Sequence, residues 1–138
     1  MPKFATAEWI QAYKDAINSS AQLAKAAKDW HRDITIVVEA EPDKGVARDM
    51  YGWFDISGGK CREAKIVRPE EGERAQFVIR APYSRWREII DGKLDPIRGM
   101  LQGKLQVKGD LKALTAEVDA ARALVKTAAS IPTQFPDE

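Results

Sequence analysis

A chain of 138 residues, 44% apolar and 31% charged, has the length and composition of one globular domain with its own core. Its 22 Lys and Arg stand against 21 Asp and Glu, so no overall field draws it to nucleic acid or acidic membranes, and only local patches remain open. A single cysteine, Cys61, and a single histidine, His31, exclude an internal disulfide, a thiolate-rich zinc cage and a multi-histidine metal site.

The opening Met1-Pro2-Lys3-Phe4-Ala5 lacks the apolar run of a signal peptide, and no stretch reaches the ~20 apolar residues that span a bilayer. Phe135-Pro136-Asp137-Glu138 is neither a peroxisomal nor a retention address. The expectation is a cytoplasmic protein without stable membrane insertion, residues 1–138 forming one domain and 132–138 a flexible tail.

Residues 6–18 read as an amphipathic helix, with Trp9, Ile10, Tyr13 and Ile17 on one side. Asn18-Ser19-Ser20 interrupts it. Ser19 followed by Gln22 is a capping-box pattern for a second helix carrying Leu23, Ala26, Ala27 and Trp30. The β-branched run Ile34-Thr35-Ile36-Val37-Val38 reads as a strand, and Glu41 to Gly45 as a turn. Residues 48–56 alternate, Met50, Phe54 and Ile56 against Tyr51 and Trp53. Ser57-Gly58-Gly59-Lys60 is a hairpin signal, with Ala64 to Val67 as the return strand. Glu70 to Glu73 form a charged turn, and Gln76 to Arg80 another strand.

Helices then return. Ser84 can cap a short helix carrying Trp86, Ile89 and Ile90, which Gly92 ends. Asp95-Pro96 restarts a helix with Ile97, Met100 and Leu101. Leu105 to Lys108 is a short strand closed by Gly109. Asp110 caps what reads as the longest helix, with a stripe of Leu111, Leu114, Val118, Ala121, Val125 and Ala128 that Pro132 stops. Strands and helices on one core make the class α+β.

Candidate chemistry is sparse. His31, between Trp30 and Arg32, reads as a helix C-terminal residue near the dipole, with no partner nucleophile or carboxylate singled out. Cys61 has a cationic neighbour in Arg62 but no resolving cysteine. Gly99 to Lys104 resembles a phosphate loop only superficially. Three residues separate its glycines, Leu105 follows the lysine, and a strand comes next. Glu70, Glu71 and Glu73 are solvated turn carboxylates rather than a catalytic pair. No catalytic residue, metal site or cofactor is expected.

Trp86, Gly92, Asp95-Pro96, Gln102-Gly103-Lys104-Leu105 and Gly109-Asp110 occur in the order that marks the late segment of the sterol carrier protein type 2 family, the sterol-binding domain. Residues 84–110 therefore resemble that family, and Trp9 and Asn18 resemble its opening. The resemblance implies a single antiparallel-rich sheet of about five strands with helices on one face, enclosing a lipid-sized apolar tunnel. It implies non-catalytic binding of fatty acids, acyl-CoA esters, sterols or other lipids. Met100, Leu101 and Gln102 would border the tunnel, with Gln102 a polar group inside. Trp86, Phe54, Phe77 and Ile79 would join them, as would Val118, Leu124 and Val125 of the last helix. The chain departs from eukaryotic carriers in lacking a peroxisomal tail. Other readings are an accessory or dimerisation module of a lipid-metabolising enzyme, acting as a homodimer or with that enzyme, and a small enzyme for an apolar substrate using Asp91, His31 or Cys61. A ten-carbon stretch gains roughly 8 kcal/mol on burial. Association costs at least ~4 kcal/mol, so micromolar, unspecific lipid binding needs no directed hydrogen bond.

Overall fold

The computed structural model describes residues 1–138. The β-branched run at 34–38 anchors its central strand, β1 (His31–Glu39). β1 is flanked by β2 (Met50–Ser57) and β4 (Phe77–Pro82), with β3 (Lys60–Val67) and β5 (Gln106–Lys108) outside, in the order β3-β2-β1-β4-β5. Three of the four pairings are antiparallel; β1 and β4 run parallel. The β2–β3 hairpin turns on Gly58 and Gly59, at φ +60° and +80°. Gly59 also admits the backbone of the second helix, since a Cβ there would lie 2.6 Å from Ala24 Cα.

The register builds rows on the helix-facing side of the sheet: Phe54–Ile34–Phe77, Gly52–Ile36–Ile79 and Met50–Val38–Ala81. Over this side lie α1 (Ala7–Asn18), α2 (Ala21–Ala26), α4 (Tyr83–Ile90), α5 (Pro96–Leu101), α6 (Leu111–Thr115) and α7 (Val118–Ala129). The other side carries Thr35, Val37, Tyr51 and Val78, and the single turn α3 (Pro69–Gly72) rests on it. Thr35 Oγ1 there donates to Gly72 O at 2.7 Å. The expected charged turn is thus a helical turn on the second face, an addition to the one-faced layout. No helix is long and apolar enough to cross a membrane.

Three boundaries differ from the sequence reading. Ser20, not Ser19, caps α2 by accepting from Leu23 N at 3.0 Å, and α2 ends at Ala26. His31 opens β1 opposite Ser57 instead of closing a helix. The long terminal helix is two helices, broken at Ala116-Glu117, where Glu117 adopts φ −96°, ψ 54°. After the break the buried residues of α7 are Ala120, Ala123, Thr127 and Ala128, of which only Ala128 belongs to the expected stripe; Val118, Ala121 and Val125 are half-buried.

Residues 132–138, expected to trail free, lie against the body. Phe4 N donates to Gln134 O and Gln134 N to Pro2 O, each at 2.9 Å. Phe135 packs on Phe4 with ring centroids 5.6 Å apart, under the Arg87 guanidinium at 3.7 Å. Tyr83 Oη donates to Asp137 at 2.6 Å.

Candidate functional site

The helices leave space over the sheet beside α7, several of whose inward side chains are alanine. Gly52 occupies the middle row beneath Ile10 of α1, and α7 presents Ala120, Ala121 and Ala128, with Leu124 and Val125, towards the sheet. Between the sheet and the helices lies an apolar pocket of about 140 Å³. Its sheet wall includes Ile34, Ile36 and Val38 of β1, Phe54 and Ile56 of β2, and Ile79 of β4. α1 contributes Trp9, Ile10, Tyr13 and Ile17, and α4 contributes Trp86, Ile89 and Ile90. Pro96 and Met100 of α5, Leu105, and Leu114 of α6 also line it.

Of the 26 lining residues 24 are hydrophobic, and Glu117, half-buried at the start of α7, is the one ionisable carboxylate among them. The aromatic polar atoms are all committed to the protein. Trp9 Nε1 donates to Thr133 Oγ1, Trp30 Nε1 to Arg32 O and Trp86 Nε1 to Val37 O, each at 2.9 Å. Tyr13 Oη donates to Leu124 O at 2.7 Å, and burial raises the phenol well above its ordinary range. No buried side-chain polar atom lacks a partner. Such a wall offers apolar contact and almost no directed hydrogen bonding, which is the requirement for holding hydrocarbon without chemistry.

Six of the ten residues expected at the site stand on this wall: Phe54, Ile79, Trp86, Met100, Leu124 and Val125. Four do not. Leu101 is 66% exposed and Gln102 is exposed, because α5 ends there and Gly103, at φ +74°, turns the chain away. Gln102 is therefore the C-cap of α5 rather than a polar group inside. Phe77 is buried behind Trp30, their rings 5.5 Å apart. Val118, the first residue of α7 after the helix break, is half-buried and off the wall, which α7 lines from Ala120 onward. The sequence reading missed Glu117 and the α1 aromatics as wall residues; the helical spacing of Trp9 and Tyr13 marked them only as core.

The other candidates lie apart from this chemistry. Cys61 is 2% exposed and its Sγ donates to Glu63 O at 3.3 Å; burial pushes the thiol up to about 11. His31 is exposed, with Nδ1 2.8 Å from Ser57 Oγ. Asn18, at the helix joint, has a structural task. Its amide donates to Cys61 O at 2.9 Å and accepts from Cys61 N at 2.8 Å, tying α1 to β3.

Comparison with known proteins agrees with this architecture. The family model described as the SCP-2 sterol transfer family matches residues 10–120. A crystal structure of sterol carrier protein 2 is similar at TM-score 0.84 and 35% identity, covering 94% of this chain and 99% of that one. The solution structure of a conserved hypothetical protein from Thermus thermophilus is similar at TM-score 0.84 and 33% identity, covering 100% of this chain and 96% of that one. Sterol carrier protein 2 from Yarrowia lipolytica, in its apo form, shares the fold at TM-score 0.57 and 16% identity over 88% of this chain and 90% of that one. No curated protein matches. With a match over most of its length and two close structural relatives, the chain belongs to the SCP-2 sterol transfer family, whose domains bind or transfer apolar lipids.

Proposed function

We propose that this protein binds one apolar molecule (a fatty acid, an acyl-CoA ester, a sterol-like or other lipid) in the pocket between sheet and α7, without covalent chemistry, and carries it through the cytoplasm. The observation that supports this most is a wall of 24 hydrophobic residues out of 26 whose aromatic polar atoms are all used internally. A buried, high-pKa thiol and an exposed histidine with only a serine beside it give a catalytic reading no convergent group.

The pocket of about 140 Å³ is close in size to the engineered ~150 Å³ cavities that stay dry and admit benzene. A long acyl chain therefore requires a wall to move. α7 is the wall suited to this, since alanines offer little apolar area per residue to anchor it. Its other ties are few: Tyr13 Oη to Leu124 O, and Arg122 to the Asp95 carboxylate at 2.8 Å.

The test uses the three tryptophans on the wall, Trp9, Trp30 and Trp86. Delipidated protein is titrated with cis-parinaric acid and energy transfer from tryptophan is followed, while native mass spectrometry of undelipidated protein reports any retained lipid. Saturable one-to-one transfer, displaced by unlabelled lipids, is expected. No transfer with any chain length, and no bound mass, would refute the reading.

A further inference from the structure

The near-neutral charge of the whole chain conceals an uneven distribution. The stretch from Gly92 to Lys112 holds five cationic residues, Lys93, Arg98, Lys104, Lys108 and Lys112, but only two acids, Asp95 and Asp110. The remaining chain consequently carries an excess of acid. Both acids in the stretch are engaged: Asp95 caps α5 and pairs with Arg122, and Asp110 caps α6. Lys108 is engaged too, with Glu73. Lys93, Arg98, Lys104 and Lys112 are exposed and take part in no ion pair.

The same stretch carries two of the four large apolar side chains that the protein exposes. Leu101 is 66% exposed at the end of α5, and Leu111 is 37% exposed at the start of α6. These two helices touch one another. They also contribute to the pocket: Met100 precedes Leu101, and Leu114 lies one turn beyond Leu111, both on the pocket wall. Exposed leucines among unpaired lysines suit neither water nor a protein core. They match a surface that is anionic outside and hydrocarbon beneath. The first helix offers no such face, because Trp9, Ile10 and Ile17 are buried in the core.

We propose that the α5–β5–α6 surface docks on anionic lipid bilayers, Leu101 and Leu111 entering the interface and Lys93, Arg98, Lys104 and Lys112 lying among the headgroups. Docking sets the Met100–Leu114 part of the pocket wall against the membrane, so lipid passes between bilayer and pocket without crossing water. This purpose rests on the proposed lipid-binding pocket; the docking itself does not.

Each cation held near such a surface strengthens binding roughly five-fold, and salt weakens the attraction as the screening length shrinks. The experiment is flotation of delipidated protein with vesicles of phosphatidylcholine alone or with about one-third phosphatidylglycerol. Two double variants are compared with the wild type, Lys104→Glu/Lys112→Glu and Leu101→Ser/Leu111→Ser. All four side chains are exposed, so folding is retained, and a thermal melt checks it. The wild type is expected to float only with the anionic vesicles and less so as salt rises. The lysine variant should lose at least about 25-fold in vesicle affinity and the leucine variant about ten-fold. Both should take up cis-parinaric acid from solution within about two-fold of wild type, a difference close to thermal noise in free energy. Wild-type protein that stays unbound at low salt, floats equally with neutral vesicles, or is matched by either variant overturns the proposal. Loss of parinaric acid uptake by the wild type would instead overturn the pocket reading and leave the flotation result standing by itself.

Discussion

An empty apolar pocket is a cost to the fold, and this gives a test in which stability and binding move in opposite directions. Unfilled core volume destabilises by about 24 cal/mol per Å³. For about 140 Å³ that amounts to about 3.4 kcal/mol held in the ligand-free protein. Ala121 lies on the wall, half-buried, on the helix least able to fill the space with its own side chains. Ala121→Leu adds three carbons, worth at most ~2.4 kcal/mol if all are buried, and about 1–2 kcal/mol at a half-buried site. In a domain this size the melting temperature of the delipidated protein should rise by ~3–8 °C. The same carbons occupy space that about three ligand methylenes would use, so affinity should fall roughly 50-fold. Differential scanning calorimetry and parinaric acid titration on one preparation read both quantities. A variant that is destabilised yet binds as the wild type does would mean that no room exists beside Ala121 and that the ligand lies elsewhere.

Val125→Glu sets a carboxylate against the apolar wall and should lower lipid affinity more than ten-fold, or shift the carboxyl neutral, while the half-exposed position lets the fold survive; titration at two pH values checks it. Amides of 118–129 should exchange faster than those of 34–38 and 77–81, and slow when lipid is bound, because β1 is buried on both faces whereas α7 rests on alanines. Hydrogen exchange with and without ligand decides this, and an α7 as protected as the strands would make it a fixed brace. Phe135→Ala removes the ring between Phe4 and Arg87 and should cost about 2 kcal/mol in denaturant unfolding. The Tyr83 hydroxyl holds the Asp137 carboxyl below its ordinary 3.8. That contribution is present above the ordinary value and is lost as pH falls through the lower folded-state value. Acid should therefore loosen the C-terminal segment of the wild type only below about pH 3.8, a step that Asp137→Asn lacks when Trp9 fluorescence is followed. His31→Ala with Cys61→Ser should leave lipid affinity within about three-fold, since neither residue is on the wall.

What could be read from the sequence was what short-range physics decides. The Ile34–Val38 run, the Gly58-Gly59 turn and the Asp95 cap before Pro96 are each set by residues within a few positions of one another. The structure realises all three, the Asp95 carboxylate accepting from Arg98 N at 3.0 Å. The break at Ala116-Glu117 left no such mark. Leu111 to Ala129 contains neither glycine nor proline, and its apolar spacing fits one unbroken helix. Helix propensity across a few residues is a weak force beside packing, so a turn can be given up where the core gains from a change of phase. Past the break Val118 is off the wall, while Ala120, Ala121, Leu124, Val125 and Ala128 are on it. Leu101 and Gln102 failed for a related reason: their chain neighbour Met100 is on the wall, but one step along a helix is about a third of a turn, and α5 stops before the next turn. Phe77 has the alternation of a wall residue and is hidden by Trp30, a contact between distant parts of the chain that periodicity cannot report. The tail was unreadable because its partners, Phe4, Tyr83 and Arg87, are far away in sequence.

Three of the largest residues on the pocket wall are held back from filling it. Trp9, Tyr13 and Trp86 could swing into about 140 Å³ of empty space and recover part of the cost of the void. Each is tied by its polar atom to a group outside the pocket: Thr133, the backbone of α7 and the backbone of β1 respectively. Breaking such a bond while the ring remains buried leaves a donor unsatisfied, at a cost of ~1–3 kcal/mol, comparable with what collapse would recover. On α7, Ala120, Ala121 and Ala128 are too small to fill the pocket. Tethered rings on α1 and α4, and the alanines of α7, therefore help keep the space open without a ligand. The same arrangement decides which side yields to one. Displacing α1 or α4 costs hydrogen bonds and aromatic contacts, while displacing α7 exposes alanines with Leu124 and Val125 and gives up the Tyr13 and Asp95 ties, so a ligand longer than the pocket enters by moving α7.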